Sequence, residues 1–502
     1  MKADVYLDYA AGAPMRQAAM AAYLEADVPG NPHALHRPAR RARQVLDEAR
    51  DLIAREVGAV SAEVVFTSGG TEADALAVRG VYVARQEPAR PYLLVGATEH
   101  HAVLDNARLL GGTAGGDMGA TSGDTRTTGW PAGRPADQIS AATGGAAGGD
   151  AGATGRIDAG DGASMAVARV VAIPVDRSGR ADLDFVAQHL RQHGSQTALI
   201  SLMAANNETG AIQPVAELVE LAAEYGVPVH SDWVQAAGKT GLDFGGSGLA
   251  AASLSAHKLG GPVGMGALLV ARHVAVKPLV GGGGQERGIR SGTVDVRGAA
   301  AFAAALAEAG REDPGRLEAL LSPLDAFIQA HSALTALTPA GRHLPGLRNF
   351  TVAGARGETL VYLLDQAGFA CSTGSACTAG VARPSHVLAA MGLDEAEASS
   401  AVRVSVGHLS TAGHIEALVR ALPEVIERAQ AAGRVTVSGS GSAVGRVTAD
   451  GLGSAAGRPA GAGTGPATGR VAASGSTSAV GRVAASGTGP AAGQGPGRVV
   501  GR

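Results

Sequence analysis

Residues 167–232 read VARVVAIPVDRSGRADLDFVAQHLRQHGSQTALISLMAANNETGAIQPVAELVELAAEYGVPVHSD, and their pattern decides the architecture. Three short apolar runs, 168–175, 198–203 and 227–230, alternate with two stretches of helical periodicity, 183–193 and 215–225. Strands alternating with helices at this spacing argue for an α/β fold, doubly wound around a mainly parallel sheet. Ligands of such sheets bind beyond the carboxyl ends of the strands. The polar clusters that follow strands are therefore the places to look for chemistry.

The same rhythm continues on both sides. Upstream, 40–58 is a helix ending on Gly58, 64–67 a strand, a helix follows to about Gly80, and 91–96 is a buried strand. The opening MKADVYLDYA has no apolar signal core and reads as a strand. Downstream, 252–254 is a strand. After about Glu312 the order changes to helices near 317–334, 359–367 and 415–432, with strands near 349–352 and 401–406, as in an α+β domain. The expected organisation is a large domain over 14–311 and a smaller α+β domain made of 1–13 and 312–432.

Two segments break the pattern. Residues 113–166 are dominated by Gly, Ala, Thr, Ser and Asp with Trp130 the lone aromatic, and are expected to be a disordered insertion. Residues 433–502 repeat arginines at 434, 446, 458, 470 and 482, a twelve-residue period lacking the apolar residues a solenoid needs to stack. This tail is expected to be a disordered, passive extension. Together these segments hold much of the chain's 74 glycines and help explain why only 3% of 502 residues are aromatic.

Net charge is −3 with no block of like charge in the folded part, so neither nucleic acid nor an anionic membrane is expected as a main partner. No run of about 18 apolar residues exists. Two cysteines make no disulfide framework, and the default compartment is the cytoplasm.

Five clusters carry chemistry. Ser68-Gly69-Gly70-Thr71 joins a strand to a helix and suits an anion, although Thr71 could simply cap the helix. Asp232 ends a strand, as a turn residue or as the partner of a cationic ring nitrogen. Ser255-Ala256-His257-Lys258 lies between a strand and a glycine-rich stretch, where a lysine amine can sit in a cleft and form a Schiff base. Only four lysines occur in the chain, Lys2, Lys239, Lys258 and Lys277. Cys377 stands among small residues in Cys371-Ser-Thr-Gly-Ser-Ala-Cys377, which suits a reactive exposed thiol; the spacing to Cys371 is not that of a zinc site, and no metal is expected. His100 and His101 follow the strand at 91–96.

These clusters occur in order with further matches: Leu7-Asp8-Tyr9, Gly30-Asn31-Pro32, Asn206-Asn207-Glu208-Thr209-Gly210, His230-x-Asp232-x-x-Gln235, Glu286-Arg287-x-x-Arg290-Ser291-Gly292-Thr293 and Arg403-Val-Ser-Val-Gly407. Over about 5–112 and 167–430 the chain resembles the cysteine desulfurases, class V aminotransferases with the fold type I architecture. The serine- and glycine-rich segment around Cys377 resembles the branch with a long cysteine loop. The resemblance implies a large domain with a mainly parallel seven-stranded sheet and a smaller α+β domain.

It also implies roles. Lys258 would carry pyridoxal 5'-phosphate and, once released from it, move the substrate's Cα proton. Asp232 would pair with the ring nitrogen, His100 would stack on the ring as a catalytic residue, and Gln235 would bond the ring's phenolic oxygen. Gly70, Thr71, Ser255 and His257 would hold the phosphate, with Thr293 reaching the phosphate of a second subunit in a homodimer. Asn207 would contact the cofactor and, with Arg403, the carboxylate of L-cysteine. Cys377 would take the sulfur as a persulfide, alanine would leave, and the sulfur would pass to an acceptor protein such as an iron–sulfur scaffold or a thiolation relay. The alternative within the fold is a selenocysteine lyase or an aminotransferase that does not use Cys377. Three departures stand out: Trp233 is bulky where the family usually has a small residue, which bears on substrate fit, while Gly260 and the turn Ala10-Ala11-Gly12-Ala13 are expected to stand clear of the chemistry.

Overall fold

The computed structural model describes residues 5–86, 89–111, 167–374 and 384–439, with side chains as far as 434. All of the expected insertion 113–166, the cysteine Cys377 and the tail beyond 439 lie outside the described residues.

The strands are β1 Val5–Tyr6, β2 Val64–Thr67, β3 Tyr92–Gly96, β4 Arg169–Ile173, β5 Thr197–Ser201, β6 Val229–Asp232, β7 Ala251–Ser255, β8 Gly266–Val270, β9 Leu334–Ala336, β10 Leu347–Val352, β11 Phe369–Ala370 and β12 Ala401–Ser405. Seven of them form one sheet in the order β2-β8-β7-β6-β5-β3-β4. β8 runs antiparallel to both neighbours, and the other pairings are parallel. The fold is the mainly parallel α/β sheet that the 167–232 rhythm implies.

Side chains alternate between the two faces of a strand, and here both faces are buried. Val64 and Phe66, Leu94, Ile200, Leu254, and Ala267 and Leu269 join one core with Ile53, Phe302 and Leu306. Their neighbours Leu93, Val95 and Leu199 turn to a second cluster with Tyr82, Val103 and Leu104, and Val65, Leu268 and Val270 to a third with Leu76. A sheet covered on both faces is the usual condition of parallel strands. The covering helices Arg37–Glu56 and Val296–Ala309 differ in how they announce themselves. The first places Ala39, Ala42, Leu46, Ala49 and Ile53 on one face and starts at His36, whose Nδ1 accepts the Ala39 N–H at 3.2 Å. The second, VRGAAAFAAALAEA, is buried almost all round, so it lacks the amphipathic stripe that marks a helix in sequence.

A second core lies under the three-stranded sheet β12-β10-β9. Leu317, Leu321, Leu324, Phe350, Val402, Val404, Ile415 and Leu418 build it, and Leu7 of the N-terminal segment joins it. β1 pairs in parallel with β11. Three boundaries differ from those read in the sequence. The helix expected near 317–334 is Pro314–Ala330, started by Asp313, which accepts the Gly315 N–H at 2.9 Å; Leu334 instead opens β9, paired with Val352. The run at 259–266, read as a glycine loop, ends in strand β8. The last helix, Ala412–Gly439, crosses Gly433, where the tail was expected to begin. Gly433 lies against the Gly354 carbonyl, where an added Cβ would come within 2.6 Å, so glycine fits this packed position.

Candidate active site

The carboxyl ends of β2, β3, β6 and β7 lie on one edge of the sheet, and the loops leaving them carry the sequence clusters. After β2 the chain turns through Gly69 (φ 151°, ψ 179°) into the helix Gly70–Ala75. That conformation is open only to glycine. At Gly70 the reason is space: a Cβ would meet Val234 Cγ2 at 2.8 Å and Ser255 Cβ at 3.3 Å. The helix start, the Asp232 loop and the end of β7 thus press together, with Gly70 buried between them and Thr71 exposed.

Lys258 ends the short turn Ala256–Lys258 after β7. Its Nζ donates to the carbonyls of Ala10 at 2.7 Å and Ala11 at 2.9 Å. Burial, with the nearby Arg403 charge, pushes its pKa down to about 8, against the pull of Asp8 and Asp232. An amine so placed is partly unprotonated near neutral pH, as a nucleophile or base must be. Asp232, on the neighbouring strand end, is pushed up to about 6 by burial, while the Val234 N–H on its Oδ1 (2.8 Å) and the Lys258 charge favour its anion.

Gln235 converges on the same spot: its Nε2 donates to the Ala10 carbonyl at 2.8 Å, and its Oε1 accepts from Lys239 Nζ at 3.3 Å. The turn Ala10-Ala11-Gly12-Ala13, expected to stand clear of the chemistry, therefore anchors both Lys258 and Gln235 by main-chain carbonyls. Side-chain identity is a poor guide to such a role. Ser255 Oγ and His257 Nδ1 are 2.9 Å apart, and Gly12 lies against His257. His100 caps the helix His101–Leu110 through Nδ1, which accepts the Ala102 N–H at 3.1 Å. Burial, followed by the charges of Lys258, His101 and His386, holds His100 down to about 4, so its ring is neutral.

Arg403, on β12, reaches the site from the second core. Its Nη2 donates to Asp8 at 2.7 Å and to Ser372 Oγ at 3.3 Å and its Nη1 to the Asn207 carbonyl at 2.9 Å, while Nε is buried with no partner among the described residues. The two residues expected to hold a carboxylate are therefore in contact, but Asp8 already occupies one side of the guanidinium fork. Asp8 belongs to the quoted Leu7-Asp8-Tyr9 match, yet nothing in that motif revealed its partner 395 residues away. Thr293 is exposed, outside this cluster. Trp233, feared to crowd a substrate, packs instead into the core, edge-on to Phe244 at 6.1 Å between ring centroids. Gly260 (φ +80°) abuts Arg16 and the Pro14 carbonyl, which leave no room for a side chain.

Two further groups have no role assigned from the sequence, although Glu286, Arg290 and Glu208 stand in the quoted matches. Glu286 accepts both guanidinium ends of Arg50 (2.7 and 2.8 Å) and the Phe66 N–H (2.8 Å), and Arg290 pairs with Glu72 at 3.0 Å, so the Glu286–Thr293 motif braces β2 and the helix at Gly70. Near the cysteine-bearing segment, Ser385 Oγ donates to the buried Glu208 at 2.5 Å, and Ser372 exchanges backbone hydrogen bonds with Arg403. Cys371 is only partly exposed, and burial raises its thiol to about 12, which leaves it inert. Among the described residues no group of three metal-ligating side chains gathers, and no helix is long and apolar enough to cross a membrane.

The family model described as Aminotransferase class-V matches residues 5–122 and 161–418, breaking within the stretch set apart as an insertion. An IscS-like cysteine desulfurase of Mycobacterium tuberculosis is 41% identical over 435 residues, covering 85% of this chain and 97% of its own. A cysteine desulfurase IscS of Dictyoglomus turgidum is 32% identical, with 85% of this chain and 96% of that one covered. Among solved structures, a NifS-like protein superposes with a TM-score of 0.68 at 27% identity, over 85% of this chain and all of its own.

Proposed function

The chain belongs to the class-V aminotransferase family and within it to the cysteine desulfurases, and we propose that Lys258 and Cys377 carry that family's reaction here. The enzyme removes sulfur from L-cysteine, leaving L-alanine. The observation that carries the reading is the position of the Lys258 amine: at the carboxyl edge of the sheet, beside Asp232, gripped by two carbonyls and lowered to about 8.

The residues present fit pyridoxal phosphate. An amine suited to capture an aldehyde, a carboxylate suited to a ring cation and a glycine-lined helix start suited to a phosphate lie together at one edge of the sheet. When bound, the cofactor supplies an electron sink for the charge that develops at the substrate's Cα. Asp232 would keep the ring nitrogen protonated, His100 would cover the ring as a neutral imidazole, and Gln235 would reach its oxygen. Gly70, Thr71, Ser255 and His257 would hold the phosphate, with Thr293 serving that of a second copy in a homodimer. Asn207 would touch both cofactor and substrate.

The substrate's carboxylate would meet Arg403, whose buried Nε has no partner among the described residues and whose Nη2 it would share with Asp8 and Ser372. Lys258 would take the Cα proton. The Cys377 thiolate would attack the substrate sulfur, so that an S–S bond forms as the C–S bond breaks. Protons returned to Cβ and Cα complete alanine, and the persulfide on Cys377 then goes to an acceptor protein of iron–sulfur assembly or thiolation. A cytoplasmic setting suits a free thiol nucleophile.

Absorbance of bound cofactor and alanine release from cysteine test this together. Lys258→Ala is expected to lose both the coloured absorbance band and the activity. Cys377→Ala is expected to keep the band and lose persulfide formation. A Cys377→Ala enzyme that still releases sulfur at the normal rate would favour a lyase that does not use Cys377.

A further inference from the structure

Two buried acids close to Asp232 are left unused by the proposed chemistry. Asp74, on the helix Gly70–Ala75, and Glu99, in the turn after β3, are 1% and 0% exposed. Each has an orphan oxygen: Asp74 Oδ1 and Glu99 Oε2 are buried with no hydrogen-bond partner among the described residues. Glu99 Oε1 accepts the Met203 N–H at 2.5 Å. The basic group closest to Asp74 is His230, whose Nε2 lies 3.6 Å from Oδ1. That imidazole is spanned by Ser201 Oγ on Nδ1 (2.9 Å) and Ser253 Oγ on Nε2 (3.0 Å), and burial drops its pKa to about 3, so it carries no charge to offer.

Among the described residues the surroundings of Asp74 supply no other counter-charge. β2, β7 and β8 carry no titratable side chain. β6 contributes His230 and Asp232, and the turn after β3 contributes Glu99. The next helical turn carries Arg79, and the helix His101–Leu110 carries His101, Asp105 and Arg108 at exposed positions. An ionised carboxylate with an orphan oxygen at such depth costs several kcal/mol, and two of them beside Asp232 would add like-charge repulsion. A proton on each acid removes both penalties and converts the oxygen facing His230 into a donor.

We propose that Asp74 and Glu99 are held as uncharged carboxylic acids behind Asp232, leaving Asp232 the one anion of the three and so the one that pairs with a cationic ring. They act through Asp232 and are positioning residues. The inference rests on the cofactor reading above for its purpose, but not for the state of the two acids. Burial, with the Asp232 charge, raises Asp74 well above the carboxylate range, against the pull of the Ser253 hydroxyl. Burial also lifts Glu99 to about 8, a rise to which Asp232 adds and which the Met203 N–H opposes.

Infrared spectra of the apoprotein at neutral pH, taken for wild type, Asp74→Asn and Glu99→Gln, test it. Each substitution replaces a neutral acid by a neutral amide of the same shape, so each is expected to delete one protonated-carboxyl band. In the cofactor-loaded enzyme the pH midpoint of the absorbance band is expected to stay in place in both variants. Loss of an ionised neighbour would instead move it by about one unit or more. Absence of protonated-carboxyl bands from the wild-type spectrum, or a midpoint shift of that size, overturns the proposal. The wild-type spectrum decides the matter even where a variant fails to fold. A protein that takes up no cofactor would sink the functional reading, while the infrared bands would still report on the two acids.

Discussion

Arg403 sets the strongest residue-scale expectation. Its fork is held by Asp8, Ser372 Oγ and the Asn207 carbonyl, and a substrate carboxylate can add to it only at Nε or by displacing the longer Ser372 contact on Nη2. A lysine keeps the charge but not the fork. Charge-assisted hydrogen bonds contribute roughly 1.5–3 kcal/mol each, so Arg403→Lys is expected to raise KM for cysteine by about 10–100-fold. Steady-state kinetics checks this, with the cofactor band unchanged. Lys258 adds a pH dependence. Its folded pKa of about 8 lies below the ordinary lysine value because of burial, so the reactive free amine of the apoprotein accumulates as pH rises through 8. The rate of cofactor uptake by the apoprotein is expected to climb with a midpoint near there; a midpoint at the ordinary lysine value would mean an open, solvated amine. Glu99 links to stability with the opposite sense. A carboxyl whose folded pKa is raised binds a proton in the folded chain that the unfolded chain has released, so its contribution falls as pH rises from about 4.5 through about 8. Thermal unfolding of Glu99→Gln is expected to lose that decline.

At the scale of elements, the brace between Glu286 and Arg50 holds β2 and the glycine turn in register. Glu286 and Arg287 both have positive φ, 45° and 61°, and such strain persists only where surrounding bonds over-determine it. Here those bonds are the two guanidinium contacts and the Phe66 N–H. Glu286→Ala would strand Arg50, which also donates to the Val64 carbonyl at 2.6 Å, so a loss of about 3–5 kcal/mol is expected in denaturant unfolding. The elements were legible in the sequence wherever one stripe or one run was apolar. The helix Leu183–His193 was read to the residue. Val296–Ala309 is not legible, because an alanine-rich helix with only Arg297 and Glu308 as charged residues on its narrow outer face shows little contrast of polarity. β8 hid behind its glycines, and β9 sat inside a stretch whose leucines continued the helical spacing. Ends of elements depend on partners across space, such as Gly354 against Gly433, and no local window contains them.

For the whole molecule, the topology brings residues from distant parts of the sequence to one edge of a sheet. Ala10, Asp232, Gln235 and Lys258 meet there with Arg403 arriving from β12. The motifs pointed to most of these side chains, because a lysine, an aspartate and a glycine turn at strand ends each have a chemical reason to be where they are. They did not point to what supports them. The carbonyls of Ala10 and Ala11 act through the main chain, Asp8 gains its partner only when β12 folds alongside the N-terminal segment, and Asp74 and Glu99 look like ordinary helix and turn residues until the sheet closes over them. Trp233 errs in the other direction: its size suggested a crowded cleft, whereas β6 ends just before it and the ring turns into the core. The central claim is that sulfur leaves cysteine for the Cys377 thiol with the cofactor held by Lys258. Mass spectrometry of the peptide bearing Cys377, taken from wild-type and Lys258→Ala enzyme after exposure to cysteine, tests it most directly. The account predicts one added sulfur on Cys377 in the wild type and none in Lys258→Ala. Turnover of cysteine to alanine with Cys377 unmodified, or with the added sulfur on Cys371, would contradict it.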